Sequence, residues 1–275
     1  MGLPPSSVIS TTSATRKPQA RVTIPAMTPL EAGLVAVAGV CAGTINTVVG
    51  SGTLITFPVL LALGYPPVVA NASNSIGLVP GGIAGAIGYR SELTGQRKRL
   101  LRLGGPSLLG GAIGAVLLLL LDPDVFEAIV PVLIIIALVL VVLQPWLSRR
   151  LASMERHEHG GASAIAATFG AGVYGGYFGA AQGVLLVGML GILMDERLQR
   201  LNALKNVLTA GVNLVAGIVF VAIADIDWWV VLLIAAGSTV GGILGAKIGR
   251  RLPPTVLRAV IVVVGLVAVT KLLID

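Results

Sequence analysis

The 275-residue chain has one cysteine, two histidines and few aromatic residues, 4% of the total, and only 11% of it is charged. A lone cysteine, Cys41, excludes an internal disulfide and any site built on several thiolates. Within its apolar run it is expected to be a small, buried packing residue. Soluble domains run near a quarter charged. A chain this poor in charge, 55% hydrophobic and with mean hydropathy +0.95, is expected to be solvated by lipid over most of its length.

The absences extend to chemistry. There is no H-E-x-x-H zinc helix and no G-x-S-x-G nucleophile elbow. Asp195, Glu196, Asp225 and Asp227 stand at the ends of apolar stretches, so no proton relay built on a buried acid is indicated. His157 and His159, in "ERHEHGG", fall in a charged loop without a cysteine partner and read as solvated residues, not metal ligands. Neither enzyme activity nor a cofactor is expected.

The net charge of +7 and pI of about 10.1 would suit a nucleic-acid partner. The basic residues, however, sit in short loops between apolar runs, the pattern of topology signals; no nucleic acid is expected to bind. Residues 1–28 are rich in Pro, Ser and Thr, lack the apolar core of a signal peptide, and read as a disordered tail.

Eight apolar stretches follow, over residues 30–63, 68–89, 103–121, 126–147, 162–194, 201–224, 228–248 and 256–273. Roughly 20 residues cross a hydrocarbon core, which suits six of them. The first and fifth are 34 and 33 residues long, and as continuous helices would each run about 50 Å against a core of about 30 Å. Each is also interrupted by glycine, in "VVGSGT" at 48–53 and "FGAAQG" at 178–183. Each therefore reads as two helices meeting at a break inside the membrane.

An offset of 131 residues aligns "SLLGGAIGA" with "STVGGILGA", "ANASNSIG" with "LNALKNVL", Gly52 with Gly183 and Pro123 with Pro254. The chain reads as a duplicated four-segment unit. Arg90, Arg97, Lys98, Arg99 and Arg102 follow the second segment, whereas the equivalent place in the second half holds Asp225 and Asp227. One loop later the signs reverse, from Asp122 and Asp124 to Lys247, Arg250 and Arg251, and the aligned pair Glu127 and Arg258 also swaps sign. Lysine and arginine mark the cytoplasmic side, so the halves read as inverted.

The expected fold is an all-α polytopic membrane protein of two inverted four-segment repeats, each a broken or re-entrant helix pair followed by three transmembrane helices. Residues 1–28 form the tail, 29–148 the first repeat, 149–161 a cytoplasmic linker and 162–275 the second repeat. This topology puts the N-terminus outside, against the charge of Arg16, Lys17 and Arg21. A first segment that crosses completely would put the tail in the cytoplasm and make the inversion imperfect.

Inverted repeats with broken helices are a transporter architecture, with the site near the midplane, where irregular backbone must face protein or a water-filled cavity. Candidate substrate-binding residues are Asn46, Gly50, Ser51 and Gly52 at the first break and Gln182 and Gly183 at the second. Asn71, Ser73 and Asn74 follow in the second segment, and Asn202, Lys205 and Asn206 in the sixth. Ser51 is a potential cap of the helix that starts after Gly52, an end that attracts anions. Asn202, Asn206, Thr209 and Asn213 share one helical face with Lys205 beside them. The plainer alternatives are a packing hinge for the glycines, interhelical glue for the asparagines, and an interfacial snorkel for Lys205.

"GVCAGTINTVVGSGTLITFPVLLALGYPP", "ANASNSIG", "YGGYFGAAQGVLLVGML" and "RLNALKNVL", in that order, resemble the sulfite exporter TauE/SafE permeases over residues 30–273. The resemblance implies a permease for small sulfur-containing anions such as sulfite or organosulfonates. Ser51 between two glycines and Gln182 before Gly183 depart from the family's usual glycine pattern and put donors at the breaks. The expected partners are a small anion and the lipid bilayer; Gly77, Gly81 and Gly85, and Gly237, Gly241, Gly245 and Gly249, recur every four residues as packing faces that leave room for a homodimer. The expected function is anion transport by alternating access in the cell membrane, with a channel or passive facilitator on the same architecture as the alternative.

Overall fold

A computed structural model of the chain describes residues 27–151, 161–248 and 254–274, and every regular element among them is an α-helix. The tail arginines, His157, His159, Arg250 and Arg251 lie outside the described residues. The helices are α1 (Pro29–Val48), α2 (Thr53–Ala62), α3 (Pro67–Gly88), α4 (Arg90–Leu93), α5 (Arg97–Leu120), α6 (Pro123–Leu151), α7 (Ala162–Tyr177), α8 (Gln182–Leu193), α9 (Leu198–Ile223), α10 (Trp228–Ile248) and α11 (Pro254–Ile274). Five of them, α1, α5, α6 over Pro123–Trp146, α9 and α10, are long and apolar enough to cross a membrane.

Local sequence sets several boundaries. Thr28 and Glu31 form a capping box at the start of α1, with Pro29 in the first turn where its missing N–H costs nothing. Residues 97–102, expected as loop, form the first turns of α5. Arg, Lys and Leu are good helix formers, and neither glycine nor proline interrupts them before Gly104.

Glycine decides the packing. α10 lies between α1 and α3. A Cβ at Gly43 would lie 2.2 Å from the Ser238 oxygen, and one at Gly241 2.1 Å from the Val40 oxygen. A Cβ at Gly81 of α3 would lie 2.5 Å from that same Ser238 oxygen. Such approaches are how helices associate in lipid, where burial of apolar surface supplies no drive. Contacts rise together along the two chains, Gly39 with Ile234 and Gly43 with Ser238, so α1 and α10 are parallel. By the same reading α5 and α7 are parallel, Gly110 meeting Phe169 and Gly114 meeting Tyr177. Cys41 departs from expectation. The buried stripe of α1 runs Val35, Ala38, Gly39, Ala42 and Ile45 toward α10, and Cys41, out of phase with it, is exposed.

The bundle has chemically different ends. At one, the Tyr65 hydroxyl donates to Asp227 Oδ2 at 3.0 Å, and Asp227 Oδ1 caps α10 by accepting from the Trp229 and Val230 N–H groups. Burial and the Asp227 bond together push the Tyr65 phenol up. At the other end Glu196 pairs with Arg99 and, at 2.9 Å, with Arg200, while Gln96 donates to the Arg200 carbonyl.

Desolvation pushes the Glu196 carboxyl up, but bonds from Arg99, the Arg197 backbone and Arg200 outweigh it and leave the group below its ordinary 4.5. A lowered carboxylate contributes stability above its unfolded value and loses it as pH falls through the folded one. The melting temperature is therefore expected to drop as pH is taken below about 4.5, with a smaller drop in Glu196→Gln. An identical acid limb in both proteins, read by thermal unfolding in detergent, would sink this.

Candidate functional site

Both long segments are broken where expected, and the two breaks touch. α1 ends at Val48, and the Gly50 N–H reaches back to the Ile45 carbonyl at 3.1 Å; α7 ends at Tyr177, and the Gly179 N–H reaches back to Tyr174 at 3.1 Å. Each break passes through a left-handed glycine, Gly50 at φ +91° and Gly179 at φ +78°. Ala181 occupies the same region at φ +60° without glycine's freedom. It is fully buried, so Ala181→Val adds both backbone strain and overpacking. A loss of about 3 kcal/mol or more is expected, against a change within about 1 kcal/mol for Ala181→Gly. Equal melting temperatures for the two variants would contradict the left-handed assignment.

The Gly183 N–H donates to the Gly50 carbonyl at 3.0 Å, and a Cβ on either glycine would lie 2.5 Å from the other's Cα. Lys205, from α9, is wedged beside this contact. Its Cδ lies 3.1 Å from where a Gly50 Cβ would be and 2.8 Å from a Gly183 Cβ. Lys205 is 0% exposed, and its Nζ donates to the Asn46 carbonyl at 2.8 Å and the Thr47 carbonyl at 3.0 Å. It does not snorkel. The ammonium sits on the last-turn carbonyls of α1, where the helix dipole favours a cation, and with three donors it keeps one N–H uncommitted among the described residues.

The asparagines bridge the halves. Asn202 Nδ2 donates to Val48 O at 3.4 Å, at the end of α1, and Asn71 Nδ2 donates to Tyr177 O at 3.1 Å, at the end of α7. Asn71 and Asn202 are 131 residues apart, so equivalent residues terminate each other's broken helix. Asn74 donates to Thr53 Oγ1 at 3.3 Å and accepts from the Thr56 hydroxyl, both on the first turn of α2. Asn46 Oδ1 receives the Gly52 N–H at 3.5 Å.

Ser51 does not cap α2, whose N-cap is Gly52, with no side-chain hydrogen bond. The Ser51 hydroxyl is instead buried without a hydrogen-bond partner among the described residues, as are Gln182 Nε2, Asn206 Nδ2, Asn71 Oδ1 and the Tyr174 hydroxyl. Room for the Gln182 amide comes from Gly175, where a Cβ would strike Gln182 Cδ at 2.2 Å. Of the candidate residues only Ser73 is drawn away; its hydroxyl accepts from the Asp227 N–H toward the acidic end. Thr53, Thr56 and Tyr174 were not foreseen. The three-residue spacing of two threonines at a helix start was the available signal for the first two; Tyr174 gives none.

Buried unpartnered polar groups are rare, and these five lie at the breaks, on the broken helix α7, and on α3 and α9, which bridge the two halves. They stand inside a multi-pass integral membrane protein whose described elements are all helical. The class that goes with this fold, a membrane transporter, comes from the sequence comparisons. The signature described as "Sulfite exporter TauE/SafE" matches residues 35–272, and the chain belongs to that family. It is 27% identical over 250 residues to "Probable membrane transporter protein YfcA" of Escherichia coli (strain K12), covering 90% of this chain and 92% of the relative. It is 25% identical over 237 residues to a "Probable membrane transporter protein" of Haemophilus influenzae, covering 86% and 92%.

Proposed function

We propose that this chain is a secondary transporter in the cell membrane that moves a small anion, sulfite or an organosulfur anion first, by alternating access between two inverted halves. The observation that carries the proposal is the contact of the Gly50 and Gly183 breaks beneath Lys205, with the unpartnered donors of Ser51, Gln182 and Asn206 on the same segments. Donors and one ammonium, with no carboxylate among the candidate residues, suit an anion.

Three arrangements support the inversion. The helix starts repeat at 131 residues, with α3 and α9 at 67 and 198, α5 and α10 at 97 and 228, and α6 and α11 at 123 and 254. Exchanging the halves carries the α1–α10 pair onto α7–α5 and the α2–α11 pair onto α8–α6. Finally, α1 starts beside the start of α10 at the acidic end, whereas α7 starts beside the start of α5 at the basic end. On this reading residues 29–148 and 162–275 are the repeats, joined at the basic, cytoplasmic end by 149–161.

The test is a proteoliposome flux assay across sulfite, sulfate, thiosulfate and a sulfonate, with and without a proton gradient. Accumulation of one of these against its gradient is expected. Flux that only equilibrates would replace the transporter by a passive facilitator, and flux of none would remove the anion assignment.

A further inference from the structure

The basic end carries a second polar feature, lined by none of the residues at the breaks. A cavity of about 410 Å3 opens between the end of α3, the short α4 and the end of α10. It is lined by two cations from different helices, Arg90 and Lys247, and by the Ser91 side chain, all exposed. Neither cation makes an ion pair among the described residues, whereas Arg99, Arg197 and Arg200 at the same end are engaged by Glu196 and Glu92. Small residues cut the recess. A Cβ at Gly88 would lie 2.2 Å from the Ala246 Cβ, so α3 and α10 touch there and no larger side chain fills the space. Ile87 and Ile243, 56% and 43% exposed, give the same cavity an apolar wall.

Two uncommitted cations and a hydroxyl beside exposed hydrocarbon, at the end of a membrane bundle, match a molecule that is anionic at one end and hydrocarbon at the other. A free anion would use the cations and leave Ile87 and Ile243 unmatched. A zwitterionic lipid would bring its own cation against Arg90 and Lys247. Positive-inside topology also places this end at the leaflet rich in anionic lipid. We propose that the cavity is a headgroup site for an anionic phospholipid, its phosphate held by Arg90 and Lys247 and its acyl chains lying along Ile87 and Ile243. The lipid then ties α3 to α10, and bound lipid raises the stability of the folded chain.

The experiment uses the purified full chain in neutral detergent, with native mass spectrometry and thermal unfolding. The probes are phosphatidylglycerol, phosphatidylcholine with the same chains, and inorganic phosphate. Retained phosphatidylglycerol and a raised melting temperature are expected with the first probe alone. Removing both cations in Arg90→Ala/Lys247→Ala should weaken phosphatidylglycerol by about fivefold per cation. Arg90→Gln/Lys247→Gln should do the same while keeping side-chain bulk. Arg97→Ala/Lys98→Ala removes the same charge from α5 outside the cavity and should leave binding unchanged. Equal binding of phosphatidylcholine, equal stabilisation by inorganic phosphate, or equal losses in the cavity and control variants would each overturn the proposal.

Discussion

Alanine at Gly50 or Gly183 is expected to destabilise the folded protein, with Gly50→Ala the worse of the two and leaving little of it folded in the membrane. The Gly183 variant meets a contact problem only. Its Cβ would lie 2.5 Å from the Gly50 Cα, 2.8 Å from Lys205 Cδ and 2.9 Å from the Gly50 oxygen. Two of those three are backbone atoms, and the third belongs to a side chain fixed at its tip by two hydrogen bonds. Relief therefore means parting the two breaks and losing the bond from the Gly183 N–H to the Gly50 carbonyl. Overpacking of this kind costs about 1–3 kcal/mol or more. Gly50→Ala has the same clash at 2.5 Å and adds a φ of +91°, which costs an L-residue about 1–2 kcal/mol. Together these approach the whole stability of a marginal fold. Gly104 and Gly105 in α5 supply the control: nothing lies within 4 Å of a Cβ at either, so alanine there is expected to be neutral or to stabilise the helix by up to about 1 kcal/mol. The measurement is the monodisperse fraction and melting temperature of each variant in detergent. Wild-type values for Gly50→Ala and Gly183→Ala would mean the breaks do not touch.

Much of this geometry was legible as position and little of it as partnership. Segment length and glycine located both breaks; the 131-residue offset paired them and predicted the spacing of the helix starts, because a duplicated sequence repeats its prolines, glycines and hydrophobic periods. The glycines at four-residue spacing in α3 and α10 were readable as packing faces from that spacing alone, and Gly77, Gly81, Gly237 and Gly241 all make close helix contacts. The offset could not reveal that the breaks meet each other, since neither periodicity nor local composition encodes a contact between Gly50 and Gly183. Lys205 illustrates the limit. Its place one turn into an apolar helix suggested a snorkel or a ligand, while its observed acceptors, Asn46 and Thr47, lie 159 and 158 residues away in sequence. The equivalent residue in the first half is Asn74, and it turns to hydroxyls on the first turn of α2 instead of to last-turn carbonyls. The duplication thus fixed where a polar residue stands without fixing its partner. Tyr174 went unnoticed because a tyrosine among apolar residues reads as packing until its buried hydroxyl is found unpartnered.

That asymmetry between Asn74 and Lys205 frames the second large effect, Lys205→Met, which is expected to cut anion transport by about tenfold or more per folded molecule. Two consequences of the substitution oppose each other in stability. The Asn46 and Thr47 carbonyls lose their donor, and each buried acceptor left unmade costs about 1–3 kcal/mol; against this, the chain no longer holds an ammonium at 0% exposure, whose desolvation is itself unfavourable. Met fills the volume beside Gly50 and Gly183, so the breaks need not collapse. The net destabilisation is therefore expected to be modest, about 1–2 kcal/mol, too small to account for a tenfold loss of flux if flux is normalised to folded protein. The remaining loss would be the substrate's: an anion entering between Ser51 and Gln182 would no longer find the lysine's uncommitted N–H, and should show a raised KM. Lys205→Gln, the longer amide, separates the two roles further, since it can donate toward the α1 carbonyls but brings no charge. It should recover part of the melting temperature without recovering KM. Wild-type flux per folded molecule in Lys205→Met would confine Lys205 to holding the end of α1.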